Sequence, residues 1–101
     1  MRVIALSTLR AFWEGKSGYA DAREPTLAWY REALAADWRS PADVKRQFGT
    51  ASILRDGRVV FNIGGNKYRL ITAIHYNLGK VFVLRFMTHA EYSKDRWKDE
   101  L

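Results

Sequence analysis

Residues 58 to 92 hold three apolar runs, Val59 to Ile63, Tyr68 to Tyr76 and Val81 to Met87, broken by Gly64-Gly65-Asn66 and by Asn77-Leu78-Gly79. Runs of this length, rich in Val, Ile, Phe and Tyr and bounded by Gly and Asn, predict antiparallel strands joined by tight hairpins. Between Asp56 and Glu91 the chain has no acidic residue, while Arg58, Lys67, Arg69, Lys80 and Arg85 fall in that interval with both histidines, His75 and His89. A small sheet of one-signed, cationic character attracts phosphate.

A chain of 101 residues suits a single domain, residues 1 to 101, with one modest core. Seventeen Lys and Arg against eleven Asp and Glu leave a net charge of +6, which favours a polyanionic partner, nucleic acid or an anionic membrane surface. The absence of cysteine excludes a disulfide framework, a thiol nucleophile and a Cys-based zinc site. No hydrophobic stretch approaches the roughly 20 residues of a membrane span. Met1-Arg-Val-Ile-Ala-Leu-Ser7 has no sustained apolar region before Arg10, so we expect no signal peptide, no membrane contact and a cytoplasmic location.

Taken in order, Val3, Ile4 and Leu6 predict a short first strand leading to Ser7 or Thr8 as a helix N-cap. Leu9, Phe12 and Trp13 recur at helical spacing before Gly15 and Gly18. Pro25 is suited to open a second helix, along which Leu27, Tyr30, Leu34 and Trp38 define one apolar face. Ser40-Pro-Ala-Asp43 is a helix start signal, and the helix that follows should bury Val44 and Phe48 and end at Gly49. Ala51 to Leu54 predicts a further strand before the main sheet. Thr88-His-Ala-Glu91 fits a capping box, and the last helix is expected from His89 to about Lys98.

Alternation along the middle strand separates Tyr68, Leu70, Thr72, Ile74 and Tyr76 from Arg69, Ile71, Ala73 and His75. Arg69 is either a guanidinium that holds phosphate by two parallel hydrogen bonds or a solvated sheet charge. Gly64-Gly65-Asn66 lacks the spacing of a P-loop, and a turn needing positive φ accounts for both glycines. Asn66 also tolerates that backbone region. His89, at a helix start near a cationic sheet end, suits general acid–base work, or is a surface histidine tolerated there. Tyr92 shares its helix face and is placed to stack on a base, to donate a proton or to pack on the sheet. Glu91 is explained by the capping box and His75 by packing. Two histidines without a carboxylate cluster argue against a metal site, and no cofactor is expected. Trp97 either docks the last helix or, if exposed, marks a partner surface.

Val60-Phe-Asn-Ile-Gly-Gly-Asn-Lys-Tyr-Arg-Leu70 followed by Thr88-His-Ala-Glu-Tyr92 resembles the HigB-type toxins of bacterial toxin–antitoxin pairs, within the RelE-like superfamily. Trp38, Pro41 and Asp43-Val-Lys45 are similar to the family's segment before the sheet, so the resemblance covers about residues 26 to 93. It implies a compact α+β fold, with helices on one face of a twisted antiparallel sheet and a short C-terminal helix. It also implies a ribosome-dependent endoribonuclease that cuts translated mRNA, and a hetero-oligomer with a helix-turn-helix antitoxin of the HigA type.

The family's motif positions fall on Asn66, Lys67 and Arg69 at the hairpin and on His89, Glu91 and Tyr92 at the last helix. RNA cleavage without a metal needs in-line attack by the 2′-hydroxyl, a base, an acid and cations for the developing phosphorane. Arg69, helped by Lys67, is assigned to the phosphorane, His89 to proton transfer, and Tyr92 to orienting a base or assisting the proton. Asn66, Arg58 and Arg85 are assigned to RNA positioning. Two other classes remain: a non-catalytic RNA- or ribosome-binding module that blocks translation, and an adaptor domain whose charge serves solubility, against which the acid-free interval argues.

Overall fold

The computed structural model describes residues 1–4, 6–15, 17–94 and 97, with the backbone alone for Leu6 and Ser17. Its frame is the β3 (Arg58–Ile63) and β4 (Tyr68–His75) hairpin, continued antiparallel by β5 (Lys80–Thr88). The turns that the glycines predict are present. Gly64 and Gly65 take φ of 65° and 70° and Gly79 takes 65°, backbone that most side chains avoid. Asn66 does not share that conformation, so its role is not that of a left-handed turn residue.

Two short strands complete the sheet. β2 (Ser52–Ile53) runs antiparallel to β3, and β1 (Arg2–Ile4) lies parallel to β5, giving the order β1-β5-β4-β3-β2. The sheet is therefore mixed, where an antiparallel one is expected from its hairpins. Helices α1 (Leu6–Gly15), α2 (Arg23–Ala35) and α3 (Pro41–Gln47) precede the hairpin, and a 3₁₀ segment, Ser17–Ala22, joins the first two.

Strand alternation divides the molecule into two unequal cores. Tyr68, Leu70 and Ile74 of β4 face the helices, joining Phe61 and Ile63 of β3 and Val81 and Val83 of β5. Leu9 and Trp13 of α1, Trp29 and Ala33 of α2, Val44 of α3 and the loop residue Trp38 close over them. Phe61 sits at the centre, its ring 5.3 Å from Trp29, 6.0 Å from Trp38 and 5.2 Å from Phe48. Removing a ring so enclosed costs about 3–5 kcal/mol. On the opposite face Val60, Ile71 and Met87 form a smaller cluster with Trp97.

Several helical expectations shift. In α2 the buried stripe is Thr26, Trp29 and Ala33, while Leu27 and Tyr30 are at its margin and Leu34 is 45% exposed. Burying the indole of Trp29 outweighs burying Leu34, and the Thr26 hydroxyl tolerates the core because it donates to the Ala22 carbonyl at 2.6 Å. The helix also starts at Arg23, ahead of Pro25, and Trp38 lies beyond its end. In α1 the helix begins at Leu6, ahead of the serine and threonine expected to cap it. The last helix, α4, runs His89–Ser93 with Lys94 as its C-cap; Trp97 is described beyond it, and residues 95, 96 and 98 of the expected helix lie outside the described residues.

Candidate active site

The register of the sheet decides which cations meet. Cross-strand partners share a face, and the pairs Arg58↔Ala73, Asn62↔Arg69, Arg69↔Met87 and Ile71↔Arg85 place Arg58, Arg69 and Arg85 on the face away from the helices. A bulge in β5 between the partners of Ile71 and Thr72 keeps Arg85 on that side while Val83 faces the main core. His75 lies on the same face but at the far end of β4, about 20 Å along the strand from Arg69. It is exposed, with its ring edge-on to Phe82 at 5.0 Å.

Arg69 is not a solvated sheet charge. It is 7% exposed, and its guanidinium is held by neutral acceptors: Nη1 donates to the Tyr68 carbonyl at 3.1 Å and Nη2 to Oδ1 of Asn66. Its Cζ lies 5.6 Å from the centre of the Tyr92 ring, a cation–π contact worth about 1–2 kcal/mol where water is excluded. None of these partners is a carboxylate, so the guanidinium's charge is not cancelled by them. Two of its five N–H donors are committed to these acceptors.

Asn66 thus acts through its side chain. Tyr92 reaches Arg69 because α4 begins where β5 ends. Thr88 caps the helix: its hydroxyl accepts from the Glu91 N–H at 3.2 Å, and Glu91 Oε1 accepts from the Thr88 N–H at 3.3 Å. The His89 N–H donates to the Lys67 carbonyl at 2.9 Å, which ties the helix start to the hairpin. The imidazole of His89 is exposed at that junction.

Lys67 is placed differently from expectation. Its ammonium donates to Oδ2 of Asp21 at 2.8 Å, and Tyr68 Oη donates to the other oxygen of the same carboxylate. The two hydrogen bonds, that from Lys67 first, hold the Asp21 carboxyl below its ordinary value. Burial, reinforced by Asp21, pushes the Tyr68 phenol up to about 12. The structure brings Arg69, Asn66 and Tyr92 into contact, links His89 to them through backbone, and turns Lys67 toward the 3₁₀ segment. Arg58 lies 3.7 Å from Asp56, and Arg85 is exposed in mid-face.

Sequence reasoning missed Asp21, which nothing in its local spacing marks. It also left open what Trp97 docks on. That indole is 5% exposed, stacks on Tyr92 with ring centres 5.1 Å apart and planes at 15°, and donates from Nε1 to the Tyr92 carbonyl at 3.0 Å.

An open groove of about 830 Å³ lies at the other end of the sheet, lined by Asp37, Arg39, Asp56, His75 and Tyr76. Its two carboxylates oppose phosphate, so the Arg69 end is the better candidate for an RNA site. Among the described residues no three His, Asp or Glu side chains gather as they would around a metal ion. No helix among them is long and apolar enough to cross a membrane.

Residues 22–95 match the model of a family described as the RelE-like toxic component of a toxin–antitoxin system, HigB toxin. The chain belongs to the HigB toxin family. The match spans α2 through α4 and so includes the hairpin, Arg69, His89 and Tyr92. Among curated proteins, the chain is 25% identical over 89 residues to the mRNA interferase toxin HigB of Escherichia coli (strain K12), covering 86% of both chains. The mRNA interferase HigB of Escherichia coli O157:H7 and that of Shigella flexneri match with the same identity and coverage. The mixed α+β fold, with three helices over one sheet face, is consistent with the RelE-like fold of this HigB family.

Proposed function

We propose that this toxin is an endoribonuclease that cuts mRNA on the ribosome, without a metal, by attack of the 2′-hydroxyl on the adjacent phosphorus. The observation that carries this reading is Arg69: a guanidinium almost wholly buried, clamped by neutral acceptors and set against Tyr92 on a cationic sheet face. In such a site a phosphate is largely stripped of water, and its attraction to the guanidinium is stronger than at an exposed lysine.

The 2′-oxygen loses its proton and bonds to phosphorus, the bond to the 5′-oxygen breaks, and that oxygen takes up a proton. The products are a cyclic phosphate and a free 5′-hydroxyl. Arg69 stabilises the phosphorane, Asn66 fixes Arg69, and His89 moves a proton at the exposed helix start. Tyr92 orients a base or assists the proton. Lys67 joins them by leaving Asp21, an exposed ion pair and therefore a weak one. Arg58 and Arg85 track the phosphates along the face. So sparse a set acts poorly on free RNA, and the ribosome's grip supplies the missing orientation.

The names of the relatives, mRNA interferases, support the reaction class. The partner that silences the toxin is, in this proposal, a HigA-type helix-turn-helix antitoxin in a hetero-oligomer, and the setting is the cytoplasm. The test is primer extension on mRNA translated in vitro with the purified protein. New 5′ ends that require ribosomes and carry a free 5′-hydroxyl, opposite a 2′,3′-cyclic phosphate, support the proposal. Translation arrested without new ends would replace it with a non-catalytic blocker.

A further inference from the structure

We infer that Trp97 is a positioning residue for the reaction, acting through Tyr92 on Arg69. The inference rests on the ribonuclease reading above for its catalytic consequence but on geometry for the coupling itself. Four side chains form a continuous series: Trp97 stacks on Tyr92, Tyr92 faces the Arg69 guanidinium, and Arg69 donates to Asn66. Trp97 holds Tyr92 at two points, the ring stack and the bond from Nε1 to the Tyr92 carbonyl, so both ring and backbone of Tyr92 are constrained.

The far side of Trp97 is anchored as well, in the small cluster with Val60, Ile71 and Met87. Two of those residues flank Arg69 in the sheet: Ile71 is two residues along β4, and Met87 is its partner on β5. Trp97 therefore closes the apolar floor on which Arg69 lies and sets the height of the Tyr92 ring above it. α4 has five residues, too few to be rigid by itself, so the placement of Tyr92 depends on what its ring and carbonyl are held by. Outer contacts of this kind set a reacting group's geometry without touching substrate.

The experiment compares Trp97→Leu, Trp97→Phe and Val60→Ala in the full chain, using single-turnover cleavage on saturating programmed ribosomes. Val60→Ala trims the same cluster while leaving the Trp97 ring, its stack on Tyr92 and the bond from Nε1 to the Tyr92 carbonyl in place. Trp97→Leu is expected to lower the rate about tenfold or more with ribosome affinity unchanged, Trp97→Phe to restore most of it through the stack, and Val60→Ala to leave it near wild type. In a Tyr92→Ala background, Trp97→Leu should add no further loss; additive losses would overturn the inference.

A second measurement does not need activity. The Arg69 Nε–H resonance should be sharp in the wild type and in Val60→Ala, and broadened or shifted toward free arginine in Trp97→Leu. An unchanged Arg69 signal in folded Trp97→Leu would sink the coupling. If the wild type makes no cut, the ribonuclease reading falls while the resonance still decides whether Trp97 positions Arg69.

Discussion

The backbone N–H of His89 donates to the carbonyl of Lys67 at 2.9 Å, fastening the first turn of α4 to the hairpin that carries Asn66 and Arg69. Neither side chain takes part, so the junction survives substitution of either residue. It explains how residues twenty positions apart in the chain share a site: β4 and β5 run antiparallel, Tyr68 pairs with Thr88, and the turn and the helix start meet at one end of the sheet.

His89→Gln follows from this geometry. The backbone bond and the Thr88–Glu91 cap remain, so the variant should fold and bind ribosomes as the wild type does. Glutamine cannot titrate, and cleavage should fall by about 100-fold or more. Primer extension on translated mRNA gives the readout. Cleavage by His89→Gln at the wild-type rate would reduce His89 to a helix-start residue.

Arg69→Ala should abolish growth inhibition, since loss of one charge-assisted transition-state contact costs on the order of 3 kcal/mol, or about 100-fold in rate. The burial of Arg69 adds a structural consequence: Asn66 loses its donor, and stability should drop by about 1–2 kcal/mol in denaturant unfolding. Arg69→Lys keeps the charge but not the fork, and should recover stability better than activity. Full toxicity of a folded Arg69→Ala variant would remove the residue from the site.

Asp21 makes stability depend on pH in a defined direction. Its folded-state carboxyl is held below the ordinary 3.8 by Lys67 and Tyr68, so the ionised form is favoured by folding. That contribution is fully present above 3.8 and is lost as pH falls through the depressed value. The melting temperature of the wild type should exceed that of Asp21→Asn at pH 6, with the gap narrowing by calorimetry as pH falls below 3.8 and through the depressed value. A gap that is the same at both ends would show that the carboxylate's charge contributes nothing. The phenol of Tyr68, raised to about 12, contributes the opposite way: its share is present below its ordinary 10.0 and lost as pH rises through 12.

Antitoxin binding should weaken as salt rises, because Arg58, Arg69 and Arg85 share one face and an acidic segment is what such a face selects. Calorimetric titration at 50 and 500 mM salt measures this. Affinity flat across that range would point to an apolar contact elsewhere, such as the groove walled by Phe12, Tyr19 and Phe86.

What was legible in the sequence is what acts over a few residues. Alternation in Tyr68 to His75 assigned each side chain of β4 to a face, and the glycines at 64, 65 and 79 marked turns, because period and φ are local properties. The Thr88–Glu91 cap was readable for the same reason. Partner choice was not. Lys67 and Arg69 stand two residues apart with the same charge, yet only packing decides that one meets Asp21 and the other Asn66 and Tyr92. In α2 competition for core volume moved the buried stripe from Leu34 to Trp29 and Ala33, and three residues of β1 carry no period that would announce a parallel pairing with β5. Those outcomes depend on surfaces brought together from distant parts of the chain, and that is why the tertiary structure alone decided them.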